Sequence, residues 1–404
     1  MAECGGWLGG ALWRVLSDVA LWGDALPAAR AELFAGQADG AACFIERAAG
    51  DFHEIAAAFA ALGGVSRNPS ESSDAQVAAA CANVSEWAEA QGYKETAIQY
   101  AEAAARLEPD VSARAFVAGR LCRRAGEVQR GVVWYARAAR LARLAGSQID
   151  FANAHLGHGN AFMDLGRYEL AEPHFWKALR AAREAGRSSL AGMAHHDLLV
   201  LTLNTGRWSE AVLHGERAVA LYKTGHPRFP LLAQDIALLW SRLGFFSSAL
   251  PVYERVLPFV AHQRERILVL GNLARAAAAV HDRIRYERAA REVLILAGED
   301  AEMSAPALYH IAEGARSLAE AKRAEQLAAR ALDVAIARQD GTVVELARAL
   351  LIALPDTTSA DTDQVPDEGD PVDSTRQIIL RKLEKQPHES SRSIVIPPER
   401  FPTD

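Results

Sequence analysis

The sequence predicts an all-α fold assembled from internal repeats, and three observations carry the prediction. Helix-forming residues dominate the 404-residue chain, and no stretch sustains the apolar–polar alternation that a half-buried strand requires. Between residues 78 and 338 one pattern keeps returning: a small residue, a turn, an alanine, then another alanine seven positions on. The hydrophobic content of 50% is enough for a large core, while 24% charged residues and a net charge of -7 are those of an ordinary soluble chain.

Residues 1–74 lie outside the repeat. Leu8, Leu12, Val15, Leu16, Val19 and Trp22 fall on one face at helical spacing and predict a first helix. A second opens at Asp24 with Pro27 in its first turn, and further helices cover Ala41 to Ala49 and Asp51 to Leu62. Trp7, Trp13 and Trp22 read as core and capping anchors. Ten acids against four arginines make this region an acidic helical bundle or cap, and VSRNPSESSD (Val65 to Asp74) reads as its linker to the repeats.

Residues 75–354 carry the repeats. Counting from Ala152 as position 1, the clearest copy has Gly159 at position 8, Phe162 at 11, Gly166 at 15, Tyr168 at 17, Ala171 at 20, Phe175 at 24 and Ala178 at 27. Small residues at 8, 20 and 27 let two helix backbones approach closely, and an aromatic at 11, 17 or 24 fills the space between them. Glycine at 15 supplies the left-handed helix end that reverses the chain. Further copies start at Ala78, Ser112, Gly192, Pro230 and Ala305, the last without the turn glycine, and a copy over Leu268 to Ala297 fits only with an insertion near His281. Neither helix of a copy buries its apolar face without the next copy, so the copies must stack.

These positions are the signature of the tetratricopeptide repeat, which the segment from His158 to Leu179 closely resembles. The resemblance implies a right-handed α-α superhelix of about seven repeats that binds proteins or peptides and performs no catalysis. It also implies that the first helix of each copy lines a concave groove through its positions 2, 5, 9, 12 and 13. Carried over position by position, the groove is then lined by Arg120, Arg123, Arg124, Asn153, Asn160, Asp164, His196, Asn204 and Arg242, with Glu86 and Glu89 one copy before the arginines. Three guanidinium groups on one helical turn suit a carboxylate or phosphate, and equally they are able to pair with Glu86 and Glu89. The family's clamp for a C-terminal carboxylate is missing, because Leu156 stands where its first lysine is required.

Histidines recur at matching positions, His155 and His195 at 4, His174 and His214 at 23, which predicts shared packing positions rather than ligands; His158 lies one turn beyond His155. No metal site, cofactor motif, phosphate-binding glycine loop or nucleophile elbow is expected, and the chain reads as a non-enzyme. Cys4, Cys43, Cys81 and Cys122 have no paired spacing and read as free thiols of a cytoplasmic protein. Neither nucleic acid nor membrane is an expected partner.

Residues 355–404 open on seven acids and no basic residue from Asp356 to Asp373, a composition predicting a disordered linker and tail. RQIILRKLEKQ (Arg376 to Gln386) regains apolar and basic residues in the manner of a docking peptide. The linker's charge also predicts an intramolecular contact of Asp356 to Asp373 with the arginines. Two functions follow: a scaffold holding a protein or peptide, possible acidic partners included, or a ligand-sensing regulator that switches partner binding by changing its superhelix.

Overall fold

The computed structural model describes residues 1–34, 52–297, 303–354 and 370–387. These contain eighteen α-helices and no strand among the described residues. The chain divides into two compact units, Met1–Asp197 and Leu198–Asp404.

In the first unit, α1 (Gly6–Asp24) and α2 (Ala56–Arg67) precede three helix pairs. The pairs are α3 (Asp74–Gln91) with α4 (Lys94–Leu107), α5 (Ser112–Arg124) with α6 (Val128–Leu144), and α7 (Gln148–Asp164) with α8 (Tyr168–Glu184). Leu8, Leu12, Val15, Val19 and Trp22 are buried as their spacing predicts, in one apolar cluster with Phe59, Val77, Cys81 and Tyr100. The Tyr100 hydroxyl donates to the Leu12 carbonyl at 2.8 Å, and the Thr96 amide donates to the Glu3 carboxylate at 2.7 Å. The N-terminal helices therefore share their core with the first repeat.

Local details of this region depart from expectation. Pro27 opens a short 3-10 helix, Pro27–Glu32, because α1 runs on through Asp24. Trp22 is fully buried, its indole N–H donating to the Pro69 carbonyl, but Trp13 on the opposite face is 62% exposed and lies outside the core. The helix expected over Ala41 to Ala49 lies outside the described residues. Cys4, Cys81 and Cys122 are free thiols, and burial pushes Cys81 and Cys122 up to about 12; Cys43 lies outside the described residues.

α9 (Ser188–Asn204) contains the unit boundary. The second unit continues with α10 (Trp208–Leu221), then α11 (Phe229–Arg242) with α12 (Phe246–Val256), α13 (Gln263–Ala279) with α14 (Arg283–Leu296), α15 (Ser304–Ser317) with α16 (Ala321–Ala337), and α17 (Gly341–Ala353). The copy that fits the spacing poorly is thus a true pair, α13 with α14.

The turn inside every pair has one geometry. One or two residues past the first helix a residue is left-handed, and the next amide donates to a carbonyl five residues back, closing the helix end. In α7–α8, Gly166 has φ 68° and the Arg167 amide donates to the Phe162 carbonyl at 2.9 Å. Glycine is absent from two such turns, yet His281 (φ 58°) and Ala319 (φ 59°) take the same conformation, with Asp282 and Glu320 amides donating to Ala277 and Ala315 carbonyls at 2.8 and 2.9 Å. The packing of the pairs dictates the conformation, and the side chain accepts the strain.

The stretch expected to be structureless contains a helix, α18 (Asp370–Glu384). Ile379 and Leu383, one turn apart, are buried, and α18 packs on α10, α11 and α12. Lys382 Nζ donates to the carbonyls of Val219, in the last turn of α10, and of Tyr222, just past it, at 2.6 Å each, and Arg376 donates to Ser248 Oγ at 2.9 Å. Helical apolar spacing in RQIILRKLEKQ and a lysine able to cap a helix C-terminus explain the departure. The rest of the acidic linker, residues 355–369, lies outside the described residues.

Ala319→Gly removes a left-handed strain of about 1–2 kcal/mol and adds about 0.5–1 kcal/mol of chain entropy. The expected result is a higher thermal midpoint of the full chain, whereas Ala312→Gly within α15 lowers it.

Candidate functional site

Side chains at positions 9, 12 and 13 of successive first helices, and one at position 6, meet one another in the first unit. Glu89 of α3 accepts from Arg120 Nη2 at 2.9 Å and from Arg124 Nη1 at 2.6 Å, both on α5. Arg123 Nη1 donates to Asp164 of α7 at 2.9 Å, and Asn160 Nδ2 of α7 donates to Asp197 of α9 at 3.1 Å. The face expected to hold a ligand is therefore cross-linked from α3 through α9. Of the two acids expected near the arginines, Glu89 binds two of them, and Glu86 is exposed.

The three arginines differ in access. Arg120 is buried at 7% exposure, while the Arg123 and Arg124 side chains are 28% and 29% exposed. Burial opposes the charge of Arg123, but Tyr135 and Asp164 outweigh it and hold the guanidinium above its usual range. Arg120 Nη1 and Arg123 Nε are buried without a hydrogen-bond partner in the protein.

Other predicted residues are placed differently. Asn153 is half-buried on α7. His196 is only 1% exposed, so its ring is packed inside rather than presented, in contrast to its expected groove position. Asn204 and Arg242 are exposed residues of the second unit. There Arg275 and Glu313, both at position 9 of their copies, pair at 2.9 Å, which repeats the cross-linking between α13 and α15. The expected contact of Asp356 to Asp373 with the arginines falls mainly outside the described residues, and Asp373 pairs with Arg376 at 2.6 Å.

A second grouping was half visible in the sequence. His155 and His158 of α7 meet His174 of α8, and nitrogen atoms of the three rings lie within 4.8 Å of one another. His155 Nδ1 and His174 Nδ1 share a hydrogen bond of 2.8 Å, one ring donating and the other accepting. His158 stacks on Phe162, and neither of its buried ring nitrogens has a partner in the protein. Burial, with the Lys177 charge adding to it, pushes His155 and His158 down to about 4. Burial and then the neighbouring histidines and Lys177 push His174 down to about 3.

Comparison with known proteins bears on the repeats and the fold. Residues 150–224, which span α7 to α10, match the family model described as tetratricopeptide repeat. No curated protein matches the chain in sequence. Among solved structures, the APC/C hetero-tetramer Cut9-Hcn1 is similar with a TM-score of 0.51 and 15% identity, over 83% of this chain and 58% of that one. A Rap protein complexed with competence and sporulation factor gives 0.47 and 12% over 84% and 99%, and PilF of Pseudomonas aeruginosa gives 0.44 and 17% over 56% and 94%. The likeness is one of fold. Residues 150–224 thus carry tetratricopeptide repeats, and the helix pairs before and after them share the same turn. No helix of the described residues is long and apolar enough to cross a membrane.

The histidine cluster gives acid sensitivity a defined sign. Above pH 6.5 the rings are neutral in the folded and the unfolded chain alike; below it the unfolded chain takes up protons that the folded chain refuses until about pH 4. Stability is therefore lost as pH falls from 6.5 to 4. With EDTA present, the thermal midpoint of His158→Leu is expected to fall less across this window than that of the natural chain; equal falls in both would contradict the assignment.

Proposed function

We propose that this protein is a non-catalytic scaffold that holds a protein or peptide along the first-helix face of residues 1–197, with an acidic group of the ligand at Arg123 and Arg124. One observation carries the reading: three guanidinium groups meet only two carboxylates, Glu89 and Asp164, so the cluster keeps a charge of +1 (three minus two). The ion pairs hold the arginines in place before a ligand arrives, which lowers the ordering cost of binding. Orphaned donors on Arg120 and Arg123 mark the cluster as incomplete in isolation, since buried polar groups are ordinarily paired. A cytoplasmic location fits a chain with free thiols.

A regulatory reading is favoured by α18. A helix tethered through an acidic stretch and seated on α10–α12 occupies apolar surface that a partner helix would also fit, so its release would change what the second unit binds.

Selection from a displayed random-peptide library, followed by fluorescence anisotropy, tests both readings. Scaffold binding predicts selected peptides rich in Asp and Glu whose affinity falls roughly 10- to 100-fold in Arg123→Glu and Arg124→Glu, the loss of one charged hydrogen bond. Regulation adds that Ile379→Asp, which expels α18, changes the affinity of peptides that bind the second unit. Peptides that bind the arginine variants as well as the natural chain would remove the scaffold reading.

A further inference from the structure

We infer that His155, His158 and His174 form a binding site for a late first-row divalent metal ion, with Zn2+ as its representative, built from three neutral imidazoles and one position left to water or to a partner's side chain.

The repeat itself provides the control. Position 7 is a buried aliphatic residue in every other copy: Val84, Ala118, Leu198, Ile236 and Ile311 are all at most 2% exposed. The same place in the α13–α14 pair is Leu273, at 1%. Only the copy starting at Ala152 puts a histidine there, His158, and that ring gains no hydrogen bond from the protein at either nitrogen. Packing alone gives no reason for the exchange, because a buried polar group without a partner costs about 1–3 kcal/mol where leucine would cost nothing. His155 and His174, by contrast, have counterparts in His195 and His214, so the pair at positions 4 and 23 belongs to the repeat and the third ring belongs to this copy alone.

The geometry suits a metal. Imidazole nitrogens bind zinc at about 2.0–2.1 Å, which sets tetrahedral donors about 3.3 Å apart. The three rings bracket that separation, from 2.8 Å between His155 and His174 to a limit of 4.8 Å across the set. His155 and His158 sit on one face of α7, three residues apart, and His174 faces them from α8, so two rigid helices joined by one closed turn hold all three donors. His155 and His158 are 6% and 8% exposed, and Phe151 and Phe162 pack on their rings, which fixes their orientation. The rings are neutral at pH 7, as a ligand must be, so no proton has to leave them when the ion enters. Three imidazoles with no carboxylate among them disfavour Mg2+ and Ca2+ and select the zinc–copper end of the series. The Lys177 charge acts on all three rings and opposes the ion, so the affinity is that of an exchangeable site rather than a permanent structural one.

The full-length chain, stripped with EDTA and desalted, is titrated with Zn2+ by calorimetry and with Co2+ by visible absorption. The expected result is one saturable equivalent, a raised thermal midpoint with Zn2+, and Co2+ d–d bands without thiolate charge transfer. His158→Leu, which restores the aliphatic residue of the other copies, is expected to weaken Zn2+ binding roughly 100-fold or more, since even an outer-shell partner of a ligand is worth 10- to 100-fold. Its metal-free midpoint at pH 7.5 should equal or exceed that of the natural chain. His174→Asn gives the same loss by removing the ligand on the other helix. Absence of saturable binding, a thiolate band, or natural affinity in either variant would overturn the site.

Discussion

Each helix pair is closed by one residue in the left-handed conformation at the end of its first helix, and the rest of the architecture depends on that closure. The turn fixes where the second helix begins and so which residue of it faces which small residue of the first. Gly166 and Ala319 serve the same turn with the same hydrogen bond. A residue that loses about 1–2 kcal/mol in this conformation still adopts it, because the packing on either side of the turn is worth more.

What the turn positions is a set of rings set against glycines. A Cβ built on Gly157 would overlap the Tyr135 ring, and one on Gly159 would overlap Phe175. Tyr135 belongs to α6 and Gly157 to α7, so this contact joins one copy to the next, whereas Phe175 and Gly159 join the two helices of a single copy. In the second unit Tyr286 of α14 meets Gly314 of α15 in the same way. Close approach of backbone to ring is how, within each unit, copies rich in alanine at their helix contacts pack one on the next.

The scaffold was legible in the sequence because it repeats. Gly159, Phe175 and Ala178 fall at spacings that only a helix, a turn and a second helix satisfy. Where the signal was carried by glycine alone it weakened: His281 and Ala319 occupy the left-handed position without the residue type that announces it. α18 was hidden by the acidic composition before it, although Ile379 and Leu383 already had helical spacing. The candidate sites were partly legible. The arginines and Glu89 were visible as neighbours one copy apart, but the Arg123–Asp164 and Asn160–Asp197 bonds depend on side-chain reach, which spacing does not encode. His196 was assigned to the groove by position, and its burial follows from local packing. The third histidine was readable as a departure from an aliphatic position 7, a signal that appears only once the copies are compared with each other.

Constant positions build the frame, and the proposed binding groups are departures from them: surplus arginine at positions 9, 12 and 13 of the second copy, and histidine at position 7 of the third. That division requires neighbouring copies to be coupled through the ring–glycine contacts. Amide hydrogen exchange of the full chain carrying Gly157→Ala measures this most directly. The added methyl must displace Tyr135, at about 1–3 kcal/mol for an overpacked core. The account predicts that protection falls together in α5–α6 and α7–α8; unchanged protection, or a fall confined to α7, would contradict it.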